Sequence, residues 1–322
     1  MVRIRLRSLS VLLLVALVLP QLASSSEADV STTIQASPTK STLLSIQFPT
    51  PQQGWAVGSG GITIKTIDGG KKWKRVVSGT TTLLTSVFFA DVSNGWVTGA
   101  GGWLSRTTNG GEVWSRQAVD TQQPLYAVSF PSSNVGWVVG GGGTILHTTD
   151  QGQHWREQVS GTTAALYAVQ FLDEQKGTIV GALGTILSTS DGGATWSAQG
   201  TKSAATLFDV FFTDASNGWA VGNAGALFQT TDGGSTWVDQ TLPCGNTCTK
   251  LTDLLKVRFT NQKEGWIVGE RGTLYRTTDA GLTWSDGKTI ASASLFGLSF
   301  SDGESGWASG ENGTIVHLHI GR

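Results

Sequence analysis

Leu207-Phe208-Asp209-Val210-Phe211-Phe212, then Gly218-Trp219-Ala220-Val221-Gly222, then Thr230-Thr231-Asp232-Gly233-Gly234-Ser235-Thr236-Trp237: this stretch is one copy of a unit that fills the chain. The glycine and its following residue return at Gly54-Trp55, Gly95-Trp96, Gly136-Trp137, Gly177-Thr178, Gly265-Trp266 and Gly306-Trp307. The interval is 41 residues everywhere except between the fifth and sixth copies, where it is 47. A fixed period of this size, with several short β-rich runs in each copy, marks a radial array of small sheets, since one such sheet cannot bury both faces alone. Seven copies predict seven blades.

Each copy has the same grammar. A run such as Leu84-Thr85-Ser86-Val87-Phe88-Phe89 ends six residues before the glycine and is followed by a turn such as Asp91-Val92-Ser93-Asn94. The Gly-Trp strand comes next, then a glycine-rich hairpin, an alternating third strand and a compact turn closed by Trp. Period-2 patterning with turn residues between the runs gives four strands per copy, and no 3.6-residue apolar period is long enough for a helix. Three columns hold one apolar type throughout, as in Leu43/Leu84, Ile46/Val87 and Phe48/Phe89, and these predict the packing between blades.

The turn before the last Trp is the Asp-box, with Asp68, Asn109, Asp150, Asp191, Asp232 and Asp279 at its acidic position. A carboxylate repeated blade after blade reads as a turn device that satisfies backbone donors, rather than as a ligand or metal site. The seventh copy stops before an Asp-box, whereas Ser31-Thr32-Thr33-Ile34-Gln35-Ala36 lies at the offset of a fourth strand. The expectation is an all-β, seven-bladed β-propeller of four-stranded antiparallel blades, closed by an N-terminal strand completing blade seven. Its blades fall at about 42–80, 83–120, 124–161, 165–200, 206–243, 253–288 and 294–320 plus 31–36.

Residues 1–25 read as a signal peptide, with Arg3, Arg5 and Arg7 ahead of the apolar run Val11–Leu19, leaving 26–322 as a single exported propeller domain. That run is short for a bilayer span, which takes about 20 residues. Without the signal, 19 basic side chains face 23 acidic ones, which argues against nucleic-acid binding. Membrane contact is expected only through a client, and a monomer with no cofactor is expected. Cys244 and Cys248 share the insertion in the fifth interval and, in an exported protein, predict a local disulfide.

Columns that vary are the candidates for chemistry. The innermost strands carry Ser45, Ser86, Ala127, Ala168, Asp209, Lys256 and Gly297, then Gln47, Phe88, Ser129, Gln170, Phe211, Arg258 and Ser299. If these face a central channel, Asp209 meets Lys256 and Arg258, either as an ion pair plugging the channel or as a polar site at its mouth. A second column, Lys65, Arg106, His147, Ser188, Gln229, Arg276 and His317, precedes the Asp-boxes; its long side chains either lie over the Trp rings or make a partly basic ring for an acidic partner.

Asp-boxes also occur in sialidases, so a carbohydrate-binding or glycoside-hydrolysing propeller is the alternative. Most glycosidases need two carboxyl groups flanking the bond, and no such pair stands out here. The motif Leu-x-x-Val-x-Phe, then Gly-Trp-x-Val-Gly, then Thr-x-Asp-Gly-Gly-x-x-Trp, clearest from Leu207 to Trp237, resembles the photosystem II stability/assembly factor family across nearly all of the chain after residue 25. That resemblance implies a non-enzymatic, protein-binding scaffold in the thylakoid lumen or periplasm, whose client is a photosystem II reaction-centre subunit or its precursor. It also implies an arginine-rich patch, for which the nearest grouping is Arg258, Arg271 and Arg276 of blade six, with Lys256 and Asp209 beside it.

Overall fold

The computed structural model describes residues 30–242, 251–285 and 287–321. The signal-peptide segment and the Cys244/Cys248 pair lie outside the described residues. Seven four-stranded antiparallel sheets follow one another around a ring. In blade five, for example, Leu207–Phe212 is the innermost strand, followed outward by Gly218–Gly222, Leu227–Thr230 and Val238–Asp239. Blade seven takes its outermost strand from the other end of the chain: Val30–Ile34 pairs with Ile315–Ile320, Val30 opposite Ile320 and Ile34 opposite Val316. The paired strand ends at Ile34, two residues short of the expected limit, although the Gln35 N–H still donates to the Ile315 carbonyl, and the Gln35 side chain turns to blade one. There its amide nitrogen donates to the Gly69 carbonyl and its oxygen accepts from the Trp73 indole. Gln158 makes the same two bonds with Gly192 and Trp196 where blade three meets blade four.

The Gly-Trp pair is explained by what lies on each side of it. In five of the six blades that carry it, the indole stacks on the Phe at the end of the next blade's innermost strand, Trp55 on Phe89 at 3.8 Å, Trp96 on Phe130 at 3.8 Å, Trp137 on Phe171 at 3.4 Å and Trp219 on Phe259 at 3.9 Å between ring centroids, whereas Trp266 meets Phe300 tilted at 5.8 Å. Trp307 closes the circle on Phe48 at 3.6 Å. Within its own blade that Phe meets the Asp-box Trp edge-on, as Phe130 meets Trp155 at 5.9 Å and 88°. Such aromatic pairs contribute about 0.5–1.5 kcal/mol each beyond the apolar area they bury. The glycine is needed because the Phe ring of its own blade lies on it. A Cβ at Gly136 would stand 2.4 Å from the Phe130 ring.

Two rims result. The Asp-boxes meet the turns after the innermost strands, through bonds such as Gly110 N–H to the Ser93 carbonyl. At the opposite ends of the strands, the short 3-10 hairpins such as Glu270–Gly272 meet the links between blades.

Candidate partner-binding site

The innermost strand of a blade has a free edge toward the ring centre, and its unpaired N–H and C=O groups need partners. Side chains of the preceding blade supply them. Ser45 Oγ accepts from Val87 N–H (3.2 Å), Ser129 Oγ from Phe171 N–H (3.2 Å) and Ser299 Oγ from Phe48 N–H (2.9 Å). The Gln170 amide grips both groups of Phe212, donating at 3.2 Å and accepting at 2.7 Å, and Gln47 does the same with Phe89. Where the column carries Phe88 or Phe211, an aromatic contact replaces the polar strap, onto Phe130 at 6.0 Å and Phe259 at 6.2 Å.

Asp209 occupies a strap position and does more than strap. One carboxylate oxygen accepts from Val257 N–H at 3.0 Å, as Ser45 does from Val87. The same oxygen takes Arg258 Nη1 at 2.6 Å, and the other takes Lys256 Nζ at 2.9 Å. The Asp209 side chain is 3% exposed, those of Lys256 and Arg258 22% and 28%. Burial alone would raise the Asp209 carboxyl, but Arg258, Lys256 and the Val257 N–H hold it below the usual carboxylate range. Burial lowers Lys256, opposed by Asp209 and reinforced by Arg258. Two cations against one carboxylate leave the trio positive. It lines a channel cavity of about 330 Å³ in which every other lining side chain is neutral. Asp209 is therefore the one carboxylate on this wall among the described residues, and a flanking pair for glycoside hydrolysis is not assembled there.

The blade-six arginines divide. Arg258, Trp266 and Arg276 stand in one cross-strand row. The Arg276 guanidinium lies 5.0 Å over Trp266 and pairs with Glu264 at 2.8 Å, its side chain only 11% exposed. Arg271 is exposed at a 3-10 hairpin tip, on the rim away from the Asp-boxes. Four other members of Arg276's column also cover Trp rings: Lys65 Nζ lies 5.3 Å from Trp55 and Arg106 5.9 Å from Trp96, while His147 and His317 each stack at 4.7 Å on Trp137 and Trp307.

In all six Asp-boxes the Thr hydroxyl donates to the Asp or Asn side-chain oxygen and accepts backbone N–H groups of the turn. That oxygen also accepts the N–H four residues on, as Asp232 does from Thr236 at 2.9 Å. Asn109 repeats the pattern with Thr107 and Val113. The hydroxyls of Thr195 and Thr236, with those backbone donors, hold Asp191 and Asp232 down to about 2. These carboxylates are occupied by their own turns. No group of three His, Cys, Asp or Glu side chains able to hold a metal is found among the described residues.

Sequence reasoning missed an arc of half-buried rings at the start of three innermost strands, Tyr126 against Tyr167 at 5.1 Å and Tyr167 against Phe208 at 5.9 Å. A β-bulge at this residue shifts the register, as between Leu125 and Ala127. Strict alternation therefore cannot place the side chain, though the chemical type repeating at one offset was a signal.

The comparisons with known proteins agree with this architecture. A structure of YCF48 bound to D1 peptide superposes with a TM-score of 0.74 at 20% identity, covering 91% of this chain and 95% of that one. YCF48 from Cyanidioschyzon merolae gives 0.74 at 22%, over 89% and 98%. A catalytically inactive virginiamycin B lyase from Staphylococcus aureus gives 0.78 at 14%, over 91% and 100%. At these identities the likeness speaks for the fold alone, which assembly factors and enzymes share. No curated protein matches the sequence. The sequence itself matches the family described as photosynthesis system II assembly factor YCF48 over residues 25–124, 74–162, 200–286 and 245–319. With most of its length matched and seven blades in place, the chain belongs to the YCF48 family of photosynthesis system II assembly factors.

Proposed function

We propose that this chain is an exported, monomeric, non-enzymatic scaffold that holds a segment of a photosystem II reaction-centre subunit at the blade-five/blade-six side of its channel. Membership of the YCF48 family and the D1 peptide bound in a solved structure of like fold support the class of client. The observation that carries the site is the uncompensated charge of Lys256 and Arg258 around a single buried Asp209, in an otherwise neutral channel. A carboxylate of the client completes that trio, with a charge-assisted bond to the guanidinium edge that Asp209 leaves free. Membrane contact then comes through the client, and residues 1–25 serve export.

Calorimetry with the full chain and a D1 peptide tests this. Arg258→Gln leaves Lys256 to neutralise Asp209, so the channel wall stays intact while the excess charge goes. The expected result is an affinity loss of fivefold or more, together with a shallower dependence on salt. Unchanged affinity and salt dependence in that variant overturn the site.

A further inference from the structure

The outer edge of blade one carries a concentration of positive charge. Lys71, Lys72, Lys74 and Arg75 are exposed, and Lys40, also exposed, lines the same surface hollow as Arg75. The one carboxylate within this run is Asp68, which is engaged by its own turn, accepting from Thr66 Oγ1 and from the Lys72 N–H, both at 2.9 Å. None of the five cations makes an ion pair among the described residues. An excess of cations therefore stands on one edge of a chain whose residues 26–322 hold 19 basic against 23 acidic side chains.

Two features show that folding alone does not account for these residues. Lys65 and Lys74 stand directly opposite each other in the strand pairing, an arrangement of like charges that lowers sheet stability. Lys65 turns its ammonium to the Gly110 carbonyl of the next blade at 2.8 Å, which leaves Lys74 facing solvent. At the position of Lys72, three other Asp-boxes have a threonine whose hydroxyl donates to the second carboxylate oxygen: Thr195 to Asp191 at 2.7 Å, Thr236 to Asp232 at 2.6 Å and Thr283 to Asp279 at 2.6 Å. Blade one forgoes that bond for a cation. Guarding an edge strand with charge needs less than this. At the same place Ser115–Arg116, Val238–Asp239 and Lys288–Thr289 carry one charge each, and Ser197–Gln199 carries none.

We propose that this edge binds an acidic, extended segment of a partner polypeptide. The charge selects carboxylates, and the run follows the free edge of a sheet, which suits an extended chain. Val76 N–H donates to the Thr63 carbonyl, so alternation along the ladder turns the Arg75 backbone N–H and C=O outward, where such a chain can pair with them. Its carboxylates then meet Lys72, Lys74 and the part of the Arg75 guanidinium left free by the 3.1 Å bond from Nε to the Pro38 carbonyl. Blade one packs against blades seven and two, so this surface stands apart from Lys256 and Arg258 of blade six.

The probe is fluorescein-labelled Glu-Thr-Glu-Thr-Glu-Thr-amide, titrated against the full chain and followed by fluorescence anisotropy. Saturable binding at low ionic strength, weakening steeply with added salt, is expected. The triple variant Lys72→Thr/Lys74→Gln/Arg75→Gln should weaken the probe by about tenfold or more, and a melting temperature at or above that of the wild type reports that it folds. The double variant Lys74→Gln/Arg75→Gln, with the Asp-box untouched, should weaken it in the same direction. A matched variant that removes three exposed cations elsewhere, Lys176→Gln/Lys263→Gln/Lys288→Gln, should keep wild-type affinity. So should Arg258→Gln, whose effect belongs to the channel, and this separates the two sites. No saturable binding by the wild type, retained affinity in the blade-one variants, or an equal loss in the matched variant overturns the inference. So does binding of phosphatidylglycerol vesicles that the triple variant abolishes while the peptide stays free, because the edge is then a membrane contact.

Discussion

Replacing Asp209 by asparagine keeps the shape of the side chain and removes the charge on which blades five and six converge. The wild-type carboxylate accepts three bonds, at 2.6, 2.9 and 3.0 Å, two of them from cations. The amide oxygen of the variant would still accept from Val257 N–H, but the change would leave Lys256 and Arg258 facing each other with their side chains largely withdrawn from water. Removing one partner of a buried ion pair typically costs about 3–5 kcal/mol, because the remaining charge is uncompensated. Lys256→Met should cost far less, since Arg258 still neutralises Asp209. The double variant Asp209→Asn/Lys256→Met should recover part of the loss, with a coupling of about 1–3 kcal/mol. Urea unfolding followed by tryptophan fluorescence reads this directly. At an m-value of about 3 kcal/mol/M, Asp209→Asn moves the midpoint down by more than ~1 M. A shift under ~0.2 M, or additive losses in the double variant, would refute the view that the trio is coupled and stabilises the junction.

Three further outcomes follow from the geometry. Gly136→Ala drives a Cβ into the Phe130 ring at 2.4 Å and should cost about 1–3 kcal/mol by overpacking, whereas Gly303→Ala meets nothing within 4 Å and should be near neutral; thermal melts of the pair check this. Asp232→Asn should fold normally, as Asn109 does in its own Asp-box. Because Asp232 is held at about 2 against 3.8 for the free group, its contribution is present above pH 4 and lost as pH falls from about 4 to about 2, so the variant's melting temperature should depend less on pH in that window. Burial, then the neighbouring His319, lowers His317 from 6.5 to about 4. The unfolded chain therefore binds the extra proton first, stability falls as pH drops from about 6.5 to about 4, and His317→Gln should flatten that part of the profile.

Much of this molecule was legible in the sequence because each blade solves the same packing problem with the same residues. The Phe that the Gly-Trp glycine must accommodate, the Trp that covers the next blade and the turn that caps the third strand all recur at fixed offsets. Superposing the copies also brought Asp209, Lys256 and Arg258 together, since inter-blade neighbours share a column. What escaped depends on register and on rims. Arg271 and Arg276 are five residues apart yet belong to opposite ends of the blade, and only the strand pairing places Glu264 beside Arg276. The Tyr126, Tyr167 and Phe208 arc follows a bulge, where period-2 patterning no longer says which way a side chain points.

The strand Val30–Ile34 joins its partner Ile315–Ile320 from the far end of the polypeptide, whereas every other ladder is made between neighbours in sequence. Loop-closure entropy rises only slowly with length, so this long-range zip is affordable at equilibrium. Kinetically it is different: six blades can assemble locally while the seventh waits for both ends to meet. Until that encounter the first and last blades expose unmated aromatic faces, Phe48 on one side and Trp307 on the other. Joining the ends and reopening the backbone between two other blades would turn the slow encounter into a local hairpin, and a permuted chain of that kind should refold faster while reaching the same ring.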